Sequence, residues 1–302
     1  MICLLILPSA IYGQSKVGQS GAQFLEVGIS ARAVGLANAF AAVSDDATAM
    51  HYNVAGLTQL DSKQVMFTHM DYLAEINYEF AAFAYPLYNF GGTLGFAFYL
   101  LDAGDMPEHS YENSLGYPGR TFSAKDMAIA VGYARSLTDH FSIGASWKFI
   151  EERYAEERAV GWAFDIGTTY DTGFRGIKMS MVISNFGPDM RFISNEFSLP
   201  MNFKFGGSVN LLDSQSHRAT FAAEGAHPSD NYESYIMGME YSYDEKYTLR
   251  IGHKFQTDTA AGLSLGGGVA LPISDYELAI DYGFQEFDLL EDIHLFTVGF
   301  KF

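Results

Sequence analysis

The stretch Asp275-Tyr276-Glu277-Leu278-Ala279-Ile280-Asp281-Tyr282-Gly283-Phe284-Gln285 decides the fold. Its even positions are large and apolar: Tyr276, Leu278, Ile280, Tyr282 and Phe284. Its odd positions are small or polar: Glu277, Ala279, Asp281, Gly283 and Gln285. A period of two puts the two sets on opposite faces of a β-strand. The pattern recurs in Tyr247, Leu249, Ile251, His253 and Phe255 against Thr248, Arg250, Gly252, Lys254 and Gln256. It recurs again in Phe141, Ile143, Ala145, Trp147 and Phe149 against Ser142, Gly144, Ser146 and Lys148. In a soluble sandwich the large residues would face a core. Here aromatics recur at strand ends, and the opposite face carries Gly, Ser and isolated charges. That is the lipid-out, lumen-in signature of a membrane barrel.

Working outward from this stretch, alternation predicts strands at 64–72, 76–86, 92–101, 126–136, 141–150, 161–170, 177–186, 202–212, 217–226, 234–243, 247–256, 262–271, 275–285 and 292–302. The count is even and each length suits a tilted strand that crosses a bilayer. The expected fold is all-β, a fourteen-stranded antiparallel transmembrane β-barrel with a small N-terminal plug in the lumen. Connections after even strands are short, as at Leu137–Asp139, Asp171–Gly176, Asp244–Lys246 and Pro272–Ser274. Several after odd strands are long: Asp102–Lys125, Glu151–Val160 and Gly187–Met201. Bacterial outer-membrane barrels have short periplasmic turns and longer outer loops. The expected location is therefore the bacterial outer membrane, with a periplasmic N-terminus. The connections after odd strands hold about seventeen acidic and five basic residues, which makes the expected outer rim anionic. The chain closes on Leu295-Phe296-Thr297-Val298-Gly299-Phe300-Lys301-Phe302, an alternating run with a terminal Phe, like the C-terminal signal that barrels present to their assembly machinery.

Composition narrows the class further. The 302 residues carry 36 acidic and 18 basic side chains, a formal net charge of −18. A nucleic-acid partner is excluded, because phosphate binding needs a basic field. No apolar run reaches the length of an ordinary transmembrane helix. The single cysteine, Cys3, forms no intrachain disulfide and no Cys-based zinc site. It lies in the apolar run Ile2–Leu7, before Pro8, Ser9, Ala10 and Gly13. That run reads as a secretory signal peptide over residues 1–13, although the basic n-region is missing. A frayed apolar N-terminus is the alternative. The domain division is then 1–13 signal peptide, 14–61 plug segment and 62–302 transmembrane β-barrel.

Residues 14–61 do not alternate. They include the small-residue run Ser30-Ala31-Arg32-Ala33-Val34-Gly35-Leu36-Ala37-Asn38-Ala39-Phe40 and the acidic Asp45-Asp46-Ala47-Thr48-Ala49-Met50, which suits a helix start. A fourteen-stranded barrel is too wide for side chains of the wall alone to fill. This segment is the available filling.

Phe24-Leu25-Glu26-Val27-Gly28, Ala31-Arg32-Ala33-Val34-Gly35, Ala39-Phe40, Asp45-Asp46-Ala47-Thr48-Ala49 and Asn53-Val54-Ala55-Gly56-Leu57 together resemble the N-terminal signature of the PorV/PorQ family. Those proteins are outer-membrane barrels related in fold to the FadL fatty-acid channels. The likeness continues through Phe67-Thr68-His69, Ile76-Asn77-Tyr78, Gly92-Thr93-Leu94-Gly95 and Leu101-Asp102-Ala103-Gly104, and covers the first third of the chain. Val54 stands where the family usually has Pro. The resemblance implies a plug inside a fourteen-stranded barrel. In the best-known branch it implies type IX secretion, with exported cargo or the secretion translocon as partner. It also singles out Arg32, Asp45, Asp46, Asn53 and Gly56 as the residues that hold the plug. Independently, keeping both apolar rows of 234–243 and 247–256 on the lipid face sets Tyr243 opposite Tyr247. That register makes Glu240 and Arg250 a cross-strand pair in the lumen.

Other motifs carry less. Gly262-Leu263-Ser264-Leu265-Gly266 fits a nucleophile elbow, but it sits inside an alternating run rather than before a helix. The histidines have no metal-site spacing. Asp45-Asp46 lacks the spaced carboxylates of an EF-hand loop. Glu151, Glu152, Glu156 and Glu157 read as a solvated charged loop with Arg153 and Arg158. No catalytic residue, metal ligand or cofactor is expected, and the chain is not expected to be an enzyme. Three functional readings remain. The first is a barrel acting in protein export. The second is a FadL-like channel with a hydrophobic small molecule as ligand. The third is a secreted soluble β-protein or enzyme. The first two have membrane lipids as further partners.

Overall fold

A computed structural model describes residues 17–302 except 89, 110, 112–113, 115–118, 257–260 and 288–290. The signal-peptide segment 1–13 lies outside the described residues. The strands are β1 (Gln64–Asp71), β2 (Asn77–Pro86), β3 (Thr93–Pro107), β4 (Thr121–Ser136), β5 (Phe141–Tyr154), β6 (Glu157–Asp171), β7 (Lys178–Phe186), β8 (Met190–Phe192), β9 (Asn195–Phe197), β10 (Asn202–Asp213), β11 (His217–Pro228), β12 (Ser234–Tyr243), β13 (Tyr247–Gln256), β14 (Ala261–Ile273), β15 (Tyr276–Phe287) and β16 (Ile293–Lys301). Fourteen of them close an antiparallel barrel, and β8 and β9 form a separate small hairpin between β7 and β10. The barrel closes where β1 meets β16, with Phe67 opposite Val298. Lys63 and Phe302 extend the seam through backbone bonds of 3.0 and 3.1 Å.

Alternation separates two environments. Tyr247, Leu249, Ile251 and Phe255 are exposed outward, as are Tyr276, Ile280 and Tyr282. Thr297, Ser264, Lys148 and Asp165 are buried inside. An apolar exterior around a filled interior that also buries charged and polar side chains is not the pattern of a soluble protein, and it makes this a transmembrane barrel. Gly262–Gly266 runs within β14, as a strand and not as a strand-to-helix elbow.

Three connections differ from the sequence-based expectation. Strands β5 and β6 run on through the expected loop Glu151–Val160 and leave only residues 155–156 between them. Glu152 is therefore not on a solvated loop: it faces the lumen and is buried. The β3–β4 hairpin likewise shortens the expected 102–125 connection to 108–120. The physical reason is the same in both. Beyond the bilayer the outward face no longer has to be apolar, so the strand continues while its hydrophobic alternation stops. The third, Gly187–Met201, folds inward and carries β8–β9. Met190 is buried there and packs against the position of Gly161.

The N-terminal segment holds four short helical pieces: a 3-10 turn Gln23–Glu26, α1 (Ala31–Val34), α2 (Ala49–Tyr52) and a second 3-10 stretch Val54–Gln59. It threads the lumen once from end to end. Gly21 N donates to Ser198 O and Ala22 N to Glu152, both at the long-connection mouth, whereas Lys63 joins the seam at the short-turn mouth. Among the described residues the chain begins at the opposite mouth, because it crosses the barrel before β1 starts.

Candidate functional site

The threaded segment is a plug seated in two glycine-lined berths. On one wall, Gly238 pairs with Gly252 across β12–β13, and Gly266 with Gly283 across β14–β15. A Cβ on Gly283 would lie 2.8 Å from Ala31 O; one on Gly238 would lie 2.8 Å from Leu36 O. On the facing wall Gly95 pairs with Gly132 and Gly144 with Gly167. There Met50 lies against the first pair, and the Asn53–Ala55 stretch against the second. Side chains on these wall positions would occupy the volume the plug fills. The apolar interior of the plug includes Ile29, Leu36, Phe40, Met50 and Leu57, all fully buried. Tyr52 crosses it: its hydroxyl accepts Ile29 N–H at 3.0 Å and donates to Asn38 Oδ1 at 3.1 Å.

The residues singled out by the family resemblance take these positions. Asn53 Nδ2 donates to Ala41 O (2.8 Å) and to Thr169 Oγ1 on β6 (3.1 Å), and its Oδ1 accepts Ala55 N–H (3.1 Å). Gly56 lies against Ser44, whose Cβ would be 2.8 Å from an added Cβ. Asp46 Oδ1 accepts Thr48 N–H at 2.8 Å, one turn before α2. Arg32 holds Glu240 with two bonds, Nε to Oε2 at 2.9 Å and Nη2 to Oε1 at 3.0 Å. It also bonds Asp45 and approaches Asp46 at 3.4 Å. Glu240 stands opposite Arg250 in the β12–β13 register and accepts its Nε at 2.7 Å. Arg250 Nη1 then bonds Asp281 of β15 at 2.5 Å. Plug and wall thus share one ionic network.

Sequence reasoning missed three features. Alternation puts Asp281 on the lumen face but does not join it to Arg250 in this network. A second network ties Lys148 Nζ to Asp165 Oδ2 (2.8 Å) and Asn185 Oδ1 (2.7 Å). Asn185, at φ 59°, donates its Nδ2 to Pro200 O at 3.1 Å and so fastens the inward-folded 187–201 connection. The third is Glu152, which accepts Ala22 N–H at 2.8 Å. Inward charges on the neighbouring strands β5 and β6 were the available signal for the second, whereas Asp281 reaches Arg250 across the intervening β14, past the small residues Gly266 and Gly268.

The plug divides the interior into two principal cavities. The one at the short-turn mouth, about 400 Å³, is polar and includes Arg32, Asp45, Asp46, Glu240, Arg250 and Asp281 in its lining. The one at the long-connection mouth, about 600 Å³, is more apolar, with Phe24, Met70, Tyr72, Leu101, Phe287 and Leu295 on its walls. Its volume falls in the range of small-molecule pockets, about 300–1,000 Å³.

No family model and no curated protein matches the chain. Solved structures do. The chain is similar to the CymD monoaromatic hydrocarbon channel, with a TM-score of 0.61 and 14% identity over 91% of this chain and 97% of that one. It is similar to the Pseudomonas putida toluene transporter TodX, with a TM-score of 0.59 and 11% identity over 88% and 97%. It is similar to a Pseudomonas aeruginosa FadL homologue, again at 0.59, with 10% identity over 91% and 98%. At these identities the likeness is one of fold: a fourteen-stranded antiparallel barrel with a short helical N-terminal segment.

Proposed function

We propose that this chain is a FadL-like channel of the bacterial outer membrane that takes up a hydrophobic small molecule. Its long connections face outward and its short turns face the periplasm. The observation that carries the reading is the 600 Å³ apolar cavity, which lies at the long-connection mouth with the plug beneath it. A hydrophobic molecule entering from outside meets this cavity first and goes further only if the plug yields. The similar structures include a monoaromatic hydrocarbon channel and a toluene transporter, which makes toluene the first probe. The refolded barrel in nanodiscs is expected to bind labelled toluene in equilibrium dialysis, and Val27→Trp, which fills the cavity, is expected to abolish that binding. Equal binding by both proteins refutes the channel reading.

The export reading is favoured by the N-terminal resemblance alone. Its motif residues have a sufficient structural use here, since Asn53 and Gly56 pack the plug. Pull-down from detergent-solubilised outer membranes separates the two readings. A giant translocon barrel, or cargo with C-terminal sorting domains, recovered with this chain would favour export.

A further inference from the structure

The apolar outer cavity has an acidic pole. Asp126 on β4 and Glu152 on β5 are direct register partners, both point into the lumen, and both line this cavity. Their exposures are 7% and 4%. Like charges directly opposite each other destabilise a sheet, and burying a charge without a counter-ion is costly. Elsewhere in the lumen several carboxylates have a cation: Asp165 has Lys148 at 2.8 Å, Glu240 has Arg250 at 2.7 Å, and Asp281 has Arg250 at 2.5 Å. Among the described residues, neither Asp126 nor Glu152 forms a salt bridge with Lys, Arg or His. Glu152 is met by Ala22 N–H, and Asp126 Oδ2 by the Tyr154 hydroxyl at 3.4 Å. Asp126 Oδ1 is buried with no partner at all among the described residues. A buried acceptor left open on the wall of a ligand-sized cavity is the place where a ligand's donor completes the set. The one cation in the described lining, Lys254, is on β13, on the far side of the barrel from β4 and β5.

Resting on the channel reading, we propose that the outer cavity selects hydrophobic molecules with a hydrogen-bond-donating head, an ammonium above all, which docks on Asp126 beside Glu152. The apolar body lies against Phe24, Met70 and Leu295. A carboxylate head of the same length would face two carboxylates and is rejected from this pole.

The test is equilibrium dialysis of octylamine, octanol and octanoate against the full-length protein in nanodiscs, with toluene as a headless reference and Val27→Trp as the baseline for lipid partitioning. Octylamine is expected to bind about ten- to a hundred-fold more tightly than octanoate, the ratio that one charge-assisted bond supplies, with octanol between them. Asp126→Asn and Glu152→Gln are each expected to shrink that ratio while toluene binding persists, which also shows that the variants are folded. If toluene binds but the three heads are not distinguished, the acidic-pole assignment falls and the channel reading stands. If octanoate binds best and loses its advantage in Lys254→Met, the head-group pole is Lys254 and the proposal is overturned. If neither toluene nor any octyl probe binds above the baseline, the channel reading itself fails and this proposal falls with it.

Discussion

Replacing Arg32 with Met should loosen the plug more than any other single charge removal in the lumen. Arg32 and Arg250 face four carboxylates, Asp45, Asp46, Glu240 and Asp281. Without Arg32, one cation faces four carboxylates, and the plug loses both of its bonds to Glu240. Breaking one partner out of a buried pair costs about 3–5 kcal/mol. Two features lower that figure here. Glu240 keeps Arg250, and the network borders the polar short-turn cavity, with the Arg32 side chain 17% exposed. The expected cost is about 2–3 kcal/mol, which is roughly a 30- to 150-fold larger undocked fraction. Glu240→Gln should cost less. It leaves two cations facing three carboxylates, with Arg32 still on Asp45 and Arg250 still on Asp281. The assay is maleimide labelling of a cysteine placed at Ser44, buried in the plug, in a Cys3→Ser background. When opening is fast, the labelling rate follows the open fraction. Arg218→Met, which removes exposed pairs with Asp213 and Glu245, is the control. Neither pair touches the plug, so the labelling rate should stay close to that of the parent protein. Labelling of Arg32→Met at the control's rate would refute the reasoning that the ionic network holds the plug.

Gly283→Val should displace α1, since even a Cβ there comes 2.8 Å from Ala31 O, and should raise single-barrel conductance in planar bilayers. Ile280→Arg on the lipid face should cost about 2–4 kcal/mol in urea unfolding from vesicles. Ala279→Ser, next to it on the lumen face, should be nearly silent in the same measurement. Asp281→Asn is not a neutral lumen control, because it takes a carboxylate from Arg250; it should lower stability measurably in that titration. Lys148→Met leaves Asp165 buried without its cation and should cost about 3–5 kcal/mol, read as a lower temperature for loss of the heat-modifiable gel band.

How far the fold is legible depends on which solvent each residue meets. Tyr276 to Phe284 had to alternate, because every second side chain touches lipid, and fourteen such runs read directly as fourteen barrel strands. Arg153 and Glu157 sit on strands that have left the bilayer, so the same backbone carries no periodic signal there. The Glu240–Arg250 register followed from parity, since a one-residue slip would turn lipid-facing Tyr241 and Leu249 inward. The plug's seat was written less locally. Gly238 and Gly252, or Gly144 and Gly167, become a groove only when register places them side by side. The acidic pole was hidden for the same reason: Asp126 and Glu152 are 26 positions apart, and one of them lay in a stretch that reads as solvated loop. The direction of threading was out of reach of alternation, which speaks only of the wall.

That threading constrains how the molecule can be made. The segment that fills the lumen leaves the ribosome before any strand, yet the hoop around it shuts only when the last strand, β16, reaches the first, β1. Once shut, the seam leaves no lateral way in for a folded insert, and drawing residues 17–61 through a finished hoop would mean unpacking every helical turn they contain. Wrapping the sheet around its own contents avoids that unpacking. On that route the glycine berths of β3–β6 and β12–β15 fill as the wall forms, and the C-terminal strand is the clasp that closes it.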